Sequence, residues 1–326
     1  MSTIRIMSGK SFSVTVALFL AVAAAKAEPP MWVIRDKDST IYLIGTVHLL
    51  RHETEWNAAK VKKAVTESTE LWLEVANIDD QASTLPLITQ YGMDPEKTLS
   101  SKLNAGQKEK LAKVAATYGL PPESLEQMRP WMAALTFSIL PLLQAGFDPN
   151  AGVDHILRAQ AVKEGDKING FETAEQQVRF LAELPEADQI AFLEETLTDA
   201  EKGMGQLEKL AKAWMDGDNE AIGTFVVNDF KKVAPSVYQK LLVQRNIAWS
   251  EKIAEILKGS GVQQIAVGAA HLAGPDSLQV QLAKRGIKAE RYWENDEARM
   301  TNVETRTSLN PEGALSSLDI DGATTF

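Results

Sequence analysis

Four histidines occur in the 326-residue chain, and two of them sit in matching settings near opposite ends of it. His48 follows the run Ile41-Tyr42-Leu43-Ile44-Gly45-Thr46-Val47, and His271 follows Gln264-Ile265-Ala266-Val267-Gly268-Ala269-Ala270. Each run is apolar, stops at a glycine and delivers its histidine three residues later. Short apolar runs of this kind predict interior strands of an α/β sheet, covered on both faces. Ligands of such sheets gather beyond the carboxyl ends of the strands. If the two strands run parallel, His48 and His271 emerge at one edge of the sheet. A single Gly-x-x-His carries little, since a histidine at a strand end can simply bond a loop carbonyl. The repetition is what points to a site.

Carboxylates and one arginine extend the set. Leu71-Trp72-Leu73-Glu74-Val75 reads as a third strand with a glutamate in an apolar run. Burying that charge is costly unless a cation or donor meets it. The plain alternative is an edge strand with Glu74 in solvent. The apolar bracket favours Glu74 beside His48, as metal ligand or general base. Residues 167–173 read as another strand delivering Glu172, with Thr173 capping a helix that holds Gln176 and Gln177. Asp154 has helix N-capping as its default role, but paired with Glu172 near the histidines it would complete a His/carboxylate cluster. Arg245, among apolar neighbours in a helix over 237–258, could clamp a carboxylate or oxyanion bidentately, or serve a structural salt bridge. With no cysteine in the chain, any metal would rest on His, carboxylate and water.

The elements that must position these residues follow from periodicity and turn signals. Met31 to Arg35, a turn at Asp36-Lys37-Asp38-Ser39 and the first histidine strand predict a β-hairpin feeding the sheet. Ala58 to Ser68 predicts an amphipathic helix. From about 82 to 144 the chain reads as helical, with Leu111, Val114, Ala115 and Tyr118 on one face and Gly119 and Pro121-Pro122 ending that helix. Trp131 to Gln144 is nearly all apolar but too short to span a bilayer, so it predicts a core helix or a lid over the site. Residues 186–235 read as amphipathic helices broken by a turn and cap at Asp216-Gly217-Asp218, which lacks the spacing of a calcium loop. A helix from Leu278 to Arg285 and a strand from Lys288 to Tyr292 close the pattern. His52, four residues after His48, reads as an exposed loop residue.

Residues 1–27 read as a cleavable export signal. Basic residues come first, Ser11 to Ala25 is apolar, and Ala25-Lys26-Ala27 is a small-x-small cleavage site. That predicts a periplasmic or secreted protein, cut between Ala27 and Glu28, with no membrane span left after cleavage. The leader holds three basic residues and no acidic one, so the remainder carries 31 basic and 44 acidic residues. Such an acidic balance argues against nucleic acid or an anionic membrane surface as partner. From about 295 to 326 the chain is polar and without periodicity, and reads as a loosely held or disordered tail.

Several stretches together resemble the TraB/GumN family, which includes the TIKI-type Wnt proteases. They are Tyr42 to Leu49, Leu73-Glu74-Val75, Gly152-Val153-Asp154, Gly170 to Gln177, Arg245-Asn246 and Gly268 to Asp276, in the family's order over about residues 32–293. The resemblance implies one α/β domain over 28–294, related to the erythromycin-esterase and ChaN-like groups, with helical insertions at about 82–150 and 186–258. It also implies metal-dependent hydrolysis of peptide bonds. A divalent ion (Mn, Co or Zn) would fall on His48, His271 and Glu74, with Arg245 steadying an oxyanion or substrate carboxylate and Asp154 and Glu172 orienting the ligands. A metal-free, esterase-like enzyme could use the same groups as acids and bases. A non-catalytic protein that sequesters a peptide or serves exopolysaccharide export is the other reading.

Overall fold

The computed structural model describes residues 27–293, apart from 79, 229, 230, 232 and 233. The stretch before Ala27 that reads as an export signal, and the polar tail expected from about 295, lie outside the described residues. The hairpin forms as predicted. The Asp36 carboxylate accepts the backbone N–H groups of Asp38 and Ser39 at 3.2 and 2.8 Å, which turns β1 (Met31–Arg35) into the antiparallel β2 (Ser39–Thr46). Helix α1 (Ala59–Glu67) then leads into β3 (Glu70–Val75). The remaining strands are β4 (Lys167–Glu172), β5 (Gly261–Gly268) and β6 (Ala289–Arg291). They make one sheet in the order β4-β3-β5-β2-β1-β6. β4, β3, β5 and β2 are mutually parallel, and β1 runs antiparallel to both of its neighbours. This is an α/β fold with a mostly parallel sheet.

Strand alternation sends side chains to two cores. On one face Tyr42, Ile44, Leu71, Leu73 and Ala266 pack with α1 and with α5 (Val153–Glu164). On the other, Ile41, Leu43, Trp72, Ile265 and Val267 pack with Trp249, Ile253, Leu278 and Leu282. Burying each such side chain contributes about 1.5–3 kcal/mol, more than the ~1 kcal/mol of a helix cap, so burial fixes where the helices lie. Glu74 shares the parity of Trp72 and so faces the second layer, where Arg245 resides.

Between β3 and α5 come α2 (Gln81–Gly92), α3 (Ala105–Thr117) and α4 (Pro130–Gln144). Leu111, Val114 and Ala115 are buried on α3, and Gly119, with φ +71°, turns the chain just after its Tyr118 cap. Trp131, Ala133, Ala134 and Phe137 are buried on α4, which packs against the helix Glu186–Lys202, so α4 is a core helix of a third apolar cluster. No helix among the described residues is long and apolar enough to cross a membrane. After β4 follow α6 (Ala174–Ala182), capped by Thr173 as predicted, α7 (Glu186–Lys202), α8 (Gly205–Met215) and α9 (Asn219–Ile222), whose cap is Asp218.

One helix differs from its prediction. The stretch expected as a single helix over 237–258 is α10 (Pro235–Tyr238), a wide π-helical turn at Gln239–Val243, and α11 (Gln244–Ile256). Such turns re-aim the helix that follows and recur at functional sites. Arg245 sits at the start of α11, its Nη1 donating to the Leu241 carbonyl of the wide turn at 3.1 Å. α12 (Leu278–Lys284) precedes β6.

Candidate active site

The carboxyl ends of β2, β3, β4 and β5 share one edge, and Gly268 is where their side chains meet. A Cβ on Gly268 would lie 3.2 Å from Glu74 Oε1 and 3.7 Å from both His48 Nε2 and His271 Cδ2. A methyl group there would touch both histidines at ordinary contact distance and would press on the Glu74 carboxylate by a few tenths of an ångström. The Gly268 N–H in turn donates to Glu74 Oε1 at 2.8 Å.

Arg245 ties the carboxylates together. Its Nε donates to both oxygens of Glu172 at 2.8 and 3.1 Å, and its Nη2 to Glu172 Oε2 at 2.8 Å and Glu74 Oε2 at 2.6 Å. Its Nη1 reaches the Leu241 carbonyl and His271 Nε2, both at 3.1 Å. A guanidinium has five N–H groups, and these partners occupy all of them. The oxyanion-clamping role expected of Arg245 therefore has no donor left to perform it. Arg245 acts by holding Glu74, Glu172 and His271 in place. Gln177 on α6 donates to Glu74 and Glu172 at 3.1 and 3.2 Å, and the Trp249 indole N–H to Glu172 at 3.0 Å.

The two histidines occupy unlike places. His271 follows β5 through a short 3-10 turn and is buried, its ring 4.4 Å from that of Trp249. The amide of Asn246 donates to the backbone carbonyls of His271 and Asp276, so its oxygen, 2.7 Å away, accepts from His271 Nδ1. Burial, reinforced by the charges of Arg245 and His48, pushes His271 down to about 3 against the opposing pull of Glu74. It is a neutral imidazole whose Nε2 accepts from Arg245.

His48 lies in the open loop after β2 with 57% of its side-chain surface exposed. Gly152 makes room for it: a Cβ there would stand 2.3 Å from the His48 carbonyl oxygen, and Val153 N–H bonds Val47 carbonyl at 3.0 Å. That close approach brings Asp154 Oδ2 to 3.2 Å from His48 Nδ1. Gly152, not Asp154, is the N-cap of α5; Asp154 lies in the first turn and is turned to the histidine. Enclosure opposes a charge on His48, but Asp154, as charge and hydrogen-bond partner, and Glu74 outweigh it and raise His48 to about 9. Cleft water at the open face of the ring softens that shift. For Glu74, burial favours the neutral acid, yet Arg245, the two histidines and the Gly268 N–H hold it well below the usual carboxylate range.

A cleft of about 310 Å³ opens onto the group, lined by His48, Glu74, Asp154, Gln177 and Thr46. The buried Thr46 hydroxyl and Asp154 Oδ1 have no hydrogen-bond partner in the structure. All six residues expected at the site, His48, His271, Glu74, Asp154, Glu172 and Arg245, come together. His52 does not; it is exposed and bonds Asp148 at 2.8 Å. Asn246, Trp249 and Gly268 belong to the site without having been given a role from sequence. Trp249 follows Arg245 at i+4 on one helix face, a spacing that could have flagged it.

The donor types suit a divalent ion, but the arrangement does not. Glu74 Oε1 and His271 Nε2 stand 3.8 Å apart, a span one ion could bridge, but Arg245 already holds that nitrogen. Among the described residues no group of three or more His and carboxylate side chains is spaced to hold a metal ion.

Fold and site together define a class of protein: the chain belongs to the TraB/PrgY/gumN family, whose model matches residues 30–291. It is similar to the uncharacterized protein YbaP of Escherichia coli (strain K12), with 25% identity over 243 residues, 74% of this chain and 87% of that protein. The uncharacterized protein YbaP of Shigella flexneri matches with the same identity and coverage. No solved structure matches the chain. The relation to the erythromycin-esterase and ChaN-like groups therefore rests on the sequence resemblance alone.

Proposed function

We propose that the protein is an exported hydrolase that cleaves peptide or related acyl bonds in the cleft beyond the parallel strands. The convergence of His48, Glu74 and His271 on the space beside Gly268, where a Cβ would sit, carries this reading. His48 is the group a substrate can reach. Asp154 holds its Nδ1, leaving Nε2 toward the cleft, and its raised affinity keeps it protonated at neutral pH. A cationic imidazole there can stabilise a developing oxyanion and give its proton to the leaving group. Glu74 stays ionised, holds the attacking water beside His48 and takes the proton that this water releases as it adds to the carbonyl. Arg245 is a positioning residue, since its N–H groups are taken by Glu74, Glu172, His271 and the Leu241 carbonyl.

A metal-dependent form of the same hydrolysis is the second reading. What favours it is that the Nδ1 of each imidazole faces a side-chain oxygen, of Asp154 or Asn246, the orientation that metal-binding histidines use. A divalent ion would supply activated water near neutral pH, but Arg245 would first have to release His271 Nε2.

Both readings meet one experiment. A peptide library is incubated with the wild type and with His48→Ala, before and after chelation, alongside metal content and calorimetry with manganese, cobalt and zinc. Turnover that survives chelation and is lost in His48→Ala supports the metal-free form. Turnover lost with one bound ion supports the metal-dependent one. Peptide binding without turnover would replace both with a sequestering or accessory protein.

Export rests on the signal in residues 1–27. In support, the Glu28 N–H donates to the Met215 carbonyl at 2.7 Å and its carboxylate pairs with the buried Lys60. N-terminal sequencing of the exported protein should start at Glu28; a retained leader would overturn this.

A further inference from the structure

Behind His48 lies a second cavity, of about 260 Å³, that differs in character from the polar cleft. Leu50, Leu142, Phe147, Leu210 and Trp214 line it, together with Gly268, Ala269 and Ala270. His48 and Thr46 line both spaces, so the two adjoin at these residues. Trp214 donates its indole N–H to the Gly45 carbonyl at 2.8 Å and offers the cavity only its ring. Apart from His48, none of the residues lining it carries a charge.

We propose that this cavity is the specificity pocket of the site and takes an aromatic or branched aliphatic side chain of the substrate, next to the bond that is cleaved. The proposal rests on the hydrolase reading. An apolar cavity of about 150 Å³ accommodates benzene, so the larger volume here admits a phenylalanine or leucine side chain. Its common border with His48 sets the carbonyl beside that side chain within reach of the imidazole. A charged side chain would lose its water and find no partner. The selectivity this gives over Asp or Lys is on the order of 10²-fold, within the range that a pocket contact supplies.

The test compares the wild type with Ala211→Phe, which projects a ring into the cavity from α8, and with Leu210→Ala, which enlarges it. Cleavage of a mixed peptide library is profiled, and displacement of anilinonaphthalene sulfonate by a Phe-containing hexapeptide and by its Asp counterpart is followed in parallel. The expected result is a preference for Phe or Leu at one position flanking the cleaved bond. Ala211→Phe should shift it to Ala or Gly and Leu210→Ala to larger side chains, and only the Phe peptide should displace the dye. A flat profile with turnover intact, or dye displacement indifferent to all three proteins, would overturn the pocket and leave the hydrolase standing. No turnover of any peptide while the Phe peptide still displaces the dye would overturn the hydrolase and leave an apolar binding pocket.

Discussion

Arg245 Nη1 and His271 Nε2 meet at 3.1 Å, and each fixes the state of the other. A guanidinium only donates, so the imidazole nitrogen must accept and the ring proton must sit on Nδ1, facing Asn246. The pair shows why Arg245 sits nearly buried, surrounded by carboxylates. Its charge balances Glu74 and Glu172 while its planar fork orients a neutral histidine.

Removing that cation leaves two largely enclosed carboxylates short of a partner. Arg245→Met should cost roughly 3–5 kcal/mol of stability, read as a fall in the urea midpoint. Arg245→Lys, which keeps charge but loses the fork, should fall between the two. A lysine variant as stable as the wild type would show that the bidentate geometry contributes nothing.

Gly268→Ala inserts a methyl group 3.2 Å from Glu74 Oε1. The fold should persist, because the backbone φ of Gly268 is an ordinary −51°. Displacing Glu74 by a fraction of an ångström should lower kcat/KM by about 10²-fold. Unchanged kinetics with an unchanged melting point would remove Gly268 from the site.

Asp154→Asn takes away the leading cause of the raised His48 affinity. The His48 titration, followed by proton NMR of the imidazole resonances, should move down from about 9 toward the ordinary 6.5. A titration that stays near 9 would mean that Glu74, not Asp154, holds the proton on His48.

His271 makes the fold acid-sensitive. Its folded affinity lies below its unfolded one, so between about 6.5 and about 3 the unfolded chain binds the extra proton. The stability it contributes is complete above 6.5 and is lost as pH falls through that window. Melting temperatures of metal-stripped wild type should therefore decline from pH 6.5 downward more steeply than those of His271→Gln. Parallel curves would contradict the buried neutral imidazole.

Much of the framework was legible because its signals are local. The hairpin turn at Asp36, the two runs that stop at Gly45 and Gly268, and the carboxylate inside Leu71–Val75 each declare themselves within a few residues. What was not legible depends on neighbours far apart in the chain. Arg245 finds its partners 73 and 171 residues away, and nothing near it says that all of its donors are taken. Asp154 carries the signature of a helix cap. Only the approach of Gly152 to the His48 backbone turns it to another use. The wide turn at Gln239–Val243 leaves no mark in an apolar pattern that reads equally well as plain helix.

The two histidine motifs look like copies, yet Thr46 rather than Gly45 stands opposite Gly268. The second motif is thus shifted by one residue against the first, and its chain then coils inward while the other stays open. A single-residue insertion or deletion in either strand would flip its alternation and carry the histidine out of the cleft. Spelling alone is therefore an incomplete guide to competence in related chains. A relative that keeps both motifs but alters the distance from hairpin turn to first glycine should be inert.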